Sequence, residues 1–185
     1  MPLNLRPRPW IHAVRPRTLT ISVAPVLAGT ALAALDVQVL RLSVFAAALL
    51  AAVMIQAGTN LHNDVADYER GGDDPATRLG PPRATAEGWL TAGQVRAGAW
   101  TCFALALLVG LYLVILGGWP ILLVGLVCIG AGWSYSGGAR PVAYSSLGEL
   151  TVLVFFGLVA VTGSYYLQTD TVTRASLLTG IIIGM

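Results

Sequence analysis

Long apolar runs separated by short polar segments make up most of the chain. Each run approaches the roughly 20 residues that an α-helix needs to cross a bilayer. The runs predict six spans, at residues 19–35, 42–58, 97–116, 120–133, 147–167 and from 175 onward. Pro25 interrupts the first span, and only residues 117–119 separate the third from the fourth. We therefore predict an all-α fold, a polytopic transmembrane helical bundle.

The composition agrees with that pattern. Of 185 residues, 56% are hydrophobic and 11% are charged, whereas roughly 25% of the residues of a soluble domain are charged. The mean hydropathy is +0.73, and the formal net charge is only +2. We expect a single transmembrane domain over residues 1–185, with the lipid bilayer as a partner and no binding of nucleic acid.

The arginines are distributed unevenly between the two sides of the predicted bundle. With the N-terminus inside, the outer turns hold only Arg41 and Arg174. The inner segments hold Arg6, Arg8, Arg15, Arg17, Arg70, Arg78, Arg83, Arg96 and Arg140. Cytoplasmic loops of membrane proteins carry such an excess of positive charge. We predict a multi-pass protein of a bacterial-type inner membrane, with the N-terminus and the polar segment after the second span on the cytoplasmic side.

That polar segment, residues 59–95, begins with a cluster of oxygen-bearing side chains. Asn60, Asn63, Asp64, Asp67 and Gly71 recur at spacings of three and four, so they share one face of a helix. Carboxylates at the end of a membrane helix are costly and usually mark a functional site. Oxygen ligands of this kind suit Mg²⁺, which is commonly held by one or two carboxylates together with substrate phosphates.

The rest of the polar segment mixes charges of both signs. Asp73, Asp74, Arg78, Arg83 and Glu87 follow one another around a stiff Pro-Pro turn. Loops of this length in a compact bundle are usually functional. A face that offers carboxylates for a metal and guanidinium groups for phosphate oxygens suits a diphosphate ligand.

Several stretches resemble the UbiA-type intramembrane prenyltransferases. They are NDVAD at 63–67 followed by Asp73, RLGPPRA at 78–84, WIHAVRPRTL at 10–19 and YSGGARPVAY at 135–144. The last two are similar to the branch that prenylates 1,4-dihydroxy-2-naphthoate in menaquinone synthesis. The resemblance implies transfer of a polyprenyl group from polyprenyl diphosphate to this or a related aromatic acid, with loss of CO₂ and with Mg²⁺ as cofactor.

The resemblance also implies roles for individual residues. The catalytic and metal-binding group consists of Asn63, Asp64 and Asp67, with Asp73 as a further metal ligand. The diphosphate-binding group consists of Arg78, Arg83, Arg140 and Tyr135. The acceptor-binding group consists of Asn60, Arg15 and Arg17. Each group has a plainer alternative: the arginines serve topology, Tyr135 is an interfacial anchor, and the carboxylates solvate a helix end.

The chain also departs from the family pattern. Many members carry a third Asp four positions after the second, where this chain has Gly71. Such proteins usually have nine spans and a second acidic motif in a later loop, but this chain stops in its sixth span. The resemblance implies that the chain is the N-terminal two-thirds of a longer protein, and that it is inactive unless something else supplies the second motif.

Three other functions are compatible with the sequence. A prenyltransferase of the same type could act on another aromatic acceptor, such as a hydroxybenzoate or a quinone precursor. An ion or proton transporter could use the same carboxylates, and it predicts acidic residues near mid-span together with a broken helix. A non-catalytic membrane fragment is the third alternative.

Overall fold

A computed structural model of the chain describes residues 8–38, 40–71, 81–137, 142 and 147–185. These residues form six helices and no strand, which confirms the all-α prediction. The helices are α1 Arg8–Val14, α2 Pro16–Asp36, α3 Leu42–Glu69, α4 Ala92–Ser136, α5 Gly148–Thr169 and α6 Arg174–Gly184. Four of them, α2 to α5, are long and apolar enough to cross a membrane.

Helix α4 is bent into two antiparallel arms. Its 45 residues correspond to roughly 68 Å of straight helix, about twice the thickness of the hydrocarbon core. Gly118 breaks the helix with φ 70° and ψ −164°, a conformation that glycine tolerates best. A Cβ added at Gly132 would lie 3.6 Å from the ring of Phe103, 29 residues earlier, so the arms pack side by side. They are the predicted third and fourth spans.

Helices α2 and α3 differ from the predicted spans. Helix α2 runs unbroken through Pro25, which is buried against neighbouring helices. Neighbouring segments can compensate for the one backbone hydrogen bond that such a proline removes. Helix α3 continues beyond the predicted apolar span, which ends at residue 58, to Glu69, in agreement with the helical spacing of Asn60 to Asp67. It does so because Leu61 and Val65 bury its last turns in a small apolar cluster.

Helix α5 contains a wide turn. Residues Leu153–Val159 form a π-helical segment between the α-helical parts Gly148–Val152 and Ala160–Thr169. The segment packs against α6 through Gly157, where an added Cβ would lie 2.4 Å from the carbonyl oxygen of Gly180. Small residues at such crossings let the two backbones approach closely.

The α1–α2 junction, the C-terminal end of α3 and the N-terminal end of α4 lie together at one end of the bundle. We call it the site end. The Asn60 amide of α3 donates to the carbonyl oxygen of Val14 at 2.7 Å. Glu69, the last residue of α3, forms an ion pair with Arg96 of α4. The site end therefore brings together three segments that are distant in sequence.

At the opposite end of the bundle a separate set of hydrogen bonds and one ion pair connects the helices. The backbone N–H of Arg41, before α3, donates to the Gln168 side chain at 2.9 Å, and the Arg41 guanidinium pairs with Asp170 at 3.0 Å. The Tyr165 hydroxyl donates to Asp36 at 2.5 Å. These contacts hold the ends of α2, α3 and α5 together.

Gly29 of α2 packs closely against the backbone of α5, and it provides a test of this packing. A Cβ at Gly29 would lie 2.2 Å from the Val161 carbonyl oxygen, whereas one at Gly163 would meet nothing within 4 Å. We expect Gly29→Ala to lower the free energy of unfolding by about 1–3 kcal/mol. Gly163→Ala is the matched control and should change it by less than about 0.5 kcal/mol. Thermal unfolding of both variants in detergent measures the difference; equal melting temperatures would contradict this packing.

Candidate functional site

The last turns of α3 carry the polar side chains at the site end. Asn60, Asp64 and Asp67 are 5%, 0% and 6% exposed, and Asn63 is half-buried. All four belong to one continuous helix. They do not all meet the same surroundings, however. Asn60 and Asn63 line a cavity between the helices, whereas both carboxylates contact the segment of residues 81–91, which we call the covering segment.

The Asp64 carboxylate is bound to the backbone of the covering segment. Its Oδ2 accepts a hydrogen bond from the Ala84 N–H at 3.0 Å, and its Oδ1 accepts one from the Thr85 N–H at 3.1 Å. The Thr85 hydroxyl also donates to Oδ1. The carboxylate is thus fully buried but well supplied with donors. The structure does not bring Asp64 to the cavity wall, although the sequence predicted it as part of the metal-binding group.

Asp67 lies one turn later and binds the side chain of the same segment. Its Oδ2 is 2.5 Å from Nη2 of Arg83, which is only 4% exposed. The same Nη2 lies 3.4 Å from Oδ1 of Asn63. Arg70 adds a second positive charge, 3.6 Å from Asp67 Oδ1. The oxygens of Asn63 and Asp67 therefore converge on one cationic nitrogen, in a buried place beside the cavity.

Asn60 connects α3 to the start of α2. Its Nδ2 donates to Val14 and, at 2.8 Å, to the Thr18 hydroxyl. Its Oδ1 accepts from the Gln56 side chain at 3.3 Å. Buried amides need such partners because an unsatisfied polar group in a membrane interior is costly. Asn60 and Gln56 both line the cavity as well.

The cavity has a volume of about 310 Å³ and lies between α2, α3, α5 and both arms of α4. On α3 its wall runs from Ala48 to Asn63, which is roughly 22 Å along the helix axis. Most of the wall is aliphatic or aromatic. Polar groups are concentrated toward the site end, at Gln56, Thr59, Asn60 and Asn63. The shape suits a long apolar chain whose polar head lies at the site end.

The other predicted site residues fall in different places. Tyr135, at the end of α4, lines the cavity. Arg15 joins α1 to α2 in the left-handed conformation with φ 56°, which is uncommon for a residue with a side chain. Arg17 is exposed on the first turn of α2. Neither arginine is on the cavity wall, so of the predicted acceptor-binding group only Asn60 lines it. Asp73, Arg78 and Arg140 lie outside the described residues.

The convergent oxygens of Asn63 and Asp67 are of the ligand type that Mg²⁺ prefers. Mg²⁺ often takes few protein ligands and completes its coordination with water and phosphate. In this structure the Arg83 guanidinium occupies the point on which both oxygens converge, so a divalent cation would have to take its place there. No group of three or more His, Cys, Asp or Glu side chains surrounds this point among the residues that the structure describes.

Two residues of the site, Thr85 and Gln56, were not predicted from the sequence. Gln56 had a usable signal, because it is a polar residue in an apolar run, four positions before Asn60. Thr85 had none, because a threonine in a polar loop is unremarkable in composition. Its importance comes from the return of the chain, 21 residues after Asp64, onto the same helix face.

Comparison with known proteins agrees with the sequence resemblance. The model of the UbiA prenyltransferase family matches residues 22–185. The 1,4-dihydroxy-2-naphthoate octaprenyltransferase of Mycobacterium tuberculosis is 41% identical over 95% of this chain and 59% of its own length. The protein of the same name in Escherichia coli is 35% identical over 97% and 60%. The 2-carboxy-1,4-naphthoquinone phytyltransferase of Synechocystis is 30% identical over 95% and 56%.

The chain thus spans about three-fifths of the length of these curated relatives. The match nevertheless begins within α2 and extends to the end of the chain, so it includes α3 to α6 and residues 70–91 between α3 and α4. The chain belongs to the UbiA prenyltransferase family.

Proposed function

We propose that the protein containing this chain transfers a polyprenyl group from polyprenyl diphosphate to 1,4-dihydroxy-2-naphthoate, with loss of diphosphate and CO₂. The product is a demethylmenaquinol, which keeps both ring hydroxyl groups because no oxidation occurs. The observation that carries the proposal is the apolar cavity that ends beside the Asn63–Asp67–Arg83 cluster. The names of relatives such as the Mycobacterium tuberculosis protein support this choice of substrates.

The cavity and the cluster match the two parts of a polyprenyl diphosphate. The chain of the substrate is apolar, and burying it in an aliphatic cavity is favourable. The diphosphate is highly charged and needs cationic groups. In the proposed arrangement the chain lies along α3 toward Ala48, and the diphosphate lies near Asn63, where the cavity reaches the polar end.

We propose Asn63 and Asp67 as ligands for Mg²⁺, with Asp73 as a further ligand. When bound there, the ion would stabilise the negative charge that develops on the departing diphosphate. Arg83, which pairs with Asp67 in the structure, is proposed to bind a remaining phosphate oxygen. Arg78 and Arg140 are proposed for the same task.

The reaction breaks the bond between the allylic carbon and the diphosphate oxygen, and the electron pair leaves with the diphosphate. The aromatic ring then supplies the pair for the new carbon–carbon bond, and release of CO₂ returns a pair to the ring. Because the allylic cation reacts readily with water, an apolar wall is useful there. The Tyr135 ring lies on that wall, where an aromatic face can stabilise a cation.

We also propose that the site end faces the cytoplasm. Arg15, Arg17, Arg70, Arg83 and Arg96 all belong to segments at that end. Arg41 and Arg174 belong to the other end. The imbalance follows the positive-inside rule.

A different aromatic acceptor is the second candidate, because the Synechocystis relative is named for a naphthoquinone substrate. Mass spectrometry of the lipid product separates the acceptors.

The transporter alternative has less support. Asp64 and Asp67 occupy the last turns of α3 rather than its middle, and α3 is unbroken.

Replacement of Asp67 tests the metal assignment. We expect Asp67→Asn to lower kcat/KM by about 100-fold or more, because the charge that holds the cation is lost. Prenylation should be measured with Mg²⁺ in detergent, using the protein expressed from its complete native reading frame. Asp170→Asn, at the opposite end, is the control and should keep activity within about twofold. A fully active Asp67→Asn enzyme would show that the cation is held elsewhere.

Narrowing the cavity tests where the prenyl chain lies. Gly125 lines the cavity, and an added Cβ there meets nothing within 4 Å. We expect Gly125→Leu to lower kcat/KM for octaprenyl diphosphate about tenfold relative to geranyl diphosphate, because the leucine occupies space needed only by the longer chain. Gly130→Leu, on the same arm but exposed, should leave this ratio unchanged. An unchanged ratio in both variants would contradict the proposed path.

A further inference from the structure

Asp64 and Asp67 are neighbours on α3, yet the structure gives them different tasks. Asp67 meets the guanidinium of Arg83 beside the cavity. Asp64 meets the backbone of the two residues that follow Arg83. We propose that Asp64 is a positioning residue, which holds the covering segment so that Arg83 lies over Asp67, and that it is not a ligand of the divalent cation. This inference rests on the proposed function for the role of Arg83, but the anchoring itself does not.

The first observation in support is that both carboxylate oxygens of Asp64 already accept hydrogen bonds. The carboxylate is fully buried and receives two backbone N–H groups and one hydroxyl. The Thr85 hydroxyl also lies 3.2 Å from the Asp64 carbonyl oxygen. A metal ion could take these oxygens only by displacing donors, and the displaced N–H groups would then be buried without partners. At Asn63 and Asp67 the group that a cation would displace is the side chain of Arg83 and not a backbone N–H.

The second support is the structure of the covering segment. Ala84 is fully buried among Ala13, Leu61, Val95 and other apolar residues. Its carbonyl oxygen accepts the N–H groups of Trp89 and Leu90 at 2.9 and 3.2 Å. The segment is therefore a folded turn whose backbone is bound to α3 at Asp64. Arg83 directly precedes the two bonded residues, so the contact with Asp64 fixes the backbone from which its side chain reaches Asp67.

Hydrogen exchange on the intact protein distinguishes an anchor from a metal ligand. Mn²⁺ with inorganic diphosphate serves as the probe, and the readout is amide exchange in a peptide containing Ala84 and Thr85. If Asp64 is an anchor, exchange in this peptide stays equal or becomes slower when the probe is added. If Asp64 ligates the metal, its oxygens leave the two amides and their exchange becomes faster. The second result would overturn the proposal.

Thr85→Val adds a test that changes no charge and no side chain of the proposed metal site. It removes one donor to Asp64, and we expect exchange of the peptide to rise about tenfold. The KM for polyprenyl diphosphate should rise by a similar factor with kcat within about twofold, because Arg83 contributes binding that is uniform along the reaction. Thr85→Ser keeps the hydroxyl and should restore both values. Thr101→Val, an exposed threonine on α4, is the matched control.

Unchanged exchange and unchanged KM in Thr85→Val would also overturn the proposal. Failure of the proposed function looks different. In that case no prenylated product forms, and Asp67→Asn does not change the Mn²⁺ affinity measured by electron paramagnetic resonance. The exchange rates of the parent, Thr85→Val and Thr85→Ser proteins still decide whether Asp64 anchors the covering segment.

Discussion

The site end depends on how two buried carboxylates are satisfied. A charged group removed from water is stable only when charges or hydrogen-bond donors replace the solvent. Here the covering segment supplies both kinds of partner, backbone N–H groups for Asp64 and a guanidinium for Asp67. The segment and the helix end therefore stabilise each other. If the covering segment were displaced from the end of α3, the buried carboxylates and the N–H groups that bind them would lose their partners.

This mutual dependence divides α3 into two parts. From Leu42 to about Ile55 the helix is apolar and packs against α2 and α4 or lines the cavity. From Gln56 onward it carries amides and carboxylates that bind the α1–α2 junction and the covering segment. A continuous helix thus passes from the apolar cavity to the polar cluster without a break. A ligand with an apolar chain and a charged head can contact both parts at once.

Much of this arrangement could be predicted from the sequence. The lengths of the apolar runs predicted the membrane helices. The spacing of three and four residues predicted that Asn60, Asn63, Asp64 and Asp67 lie on one helix, as they do. The sequence could not show which of these residues would face the cavity and which would face the covering segment. That choice depends on where the chain returns some twenty residues later, which is a tertiary property. For the same reason Thr85 was not recognised.

The unbroken course of α2 through Pro25 has a similar explanation. Local propensity predicts an interruption, but the packing of α2 against α3 and α5 outweighs it. Gly118 is the opposite case, in which local chemistry decided the outcome. A glycine followed closely by Pro120 was read correctly as the boundary between two spans.

The wide turn in α5 has a consequence for the cavity wall. On this helix the wall is formed by pairs that recur every four residues: Thr151 and Val152, Phe155 and Phe156, Val159 and Ala160, Gly163 and Ser164, and then Leu167. In a regular α-helix, positions four apart rotate by about 40° at each step, so the series would wind away from the cavity. The π-helical turns of Leu153–Val159 hold more residues each and rotate the series back. The wider turns of this segment thus keep one face of α5 directed toward the cavity.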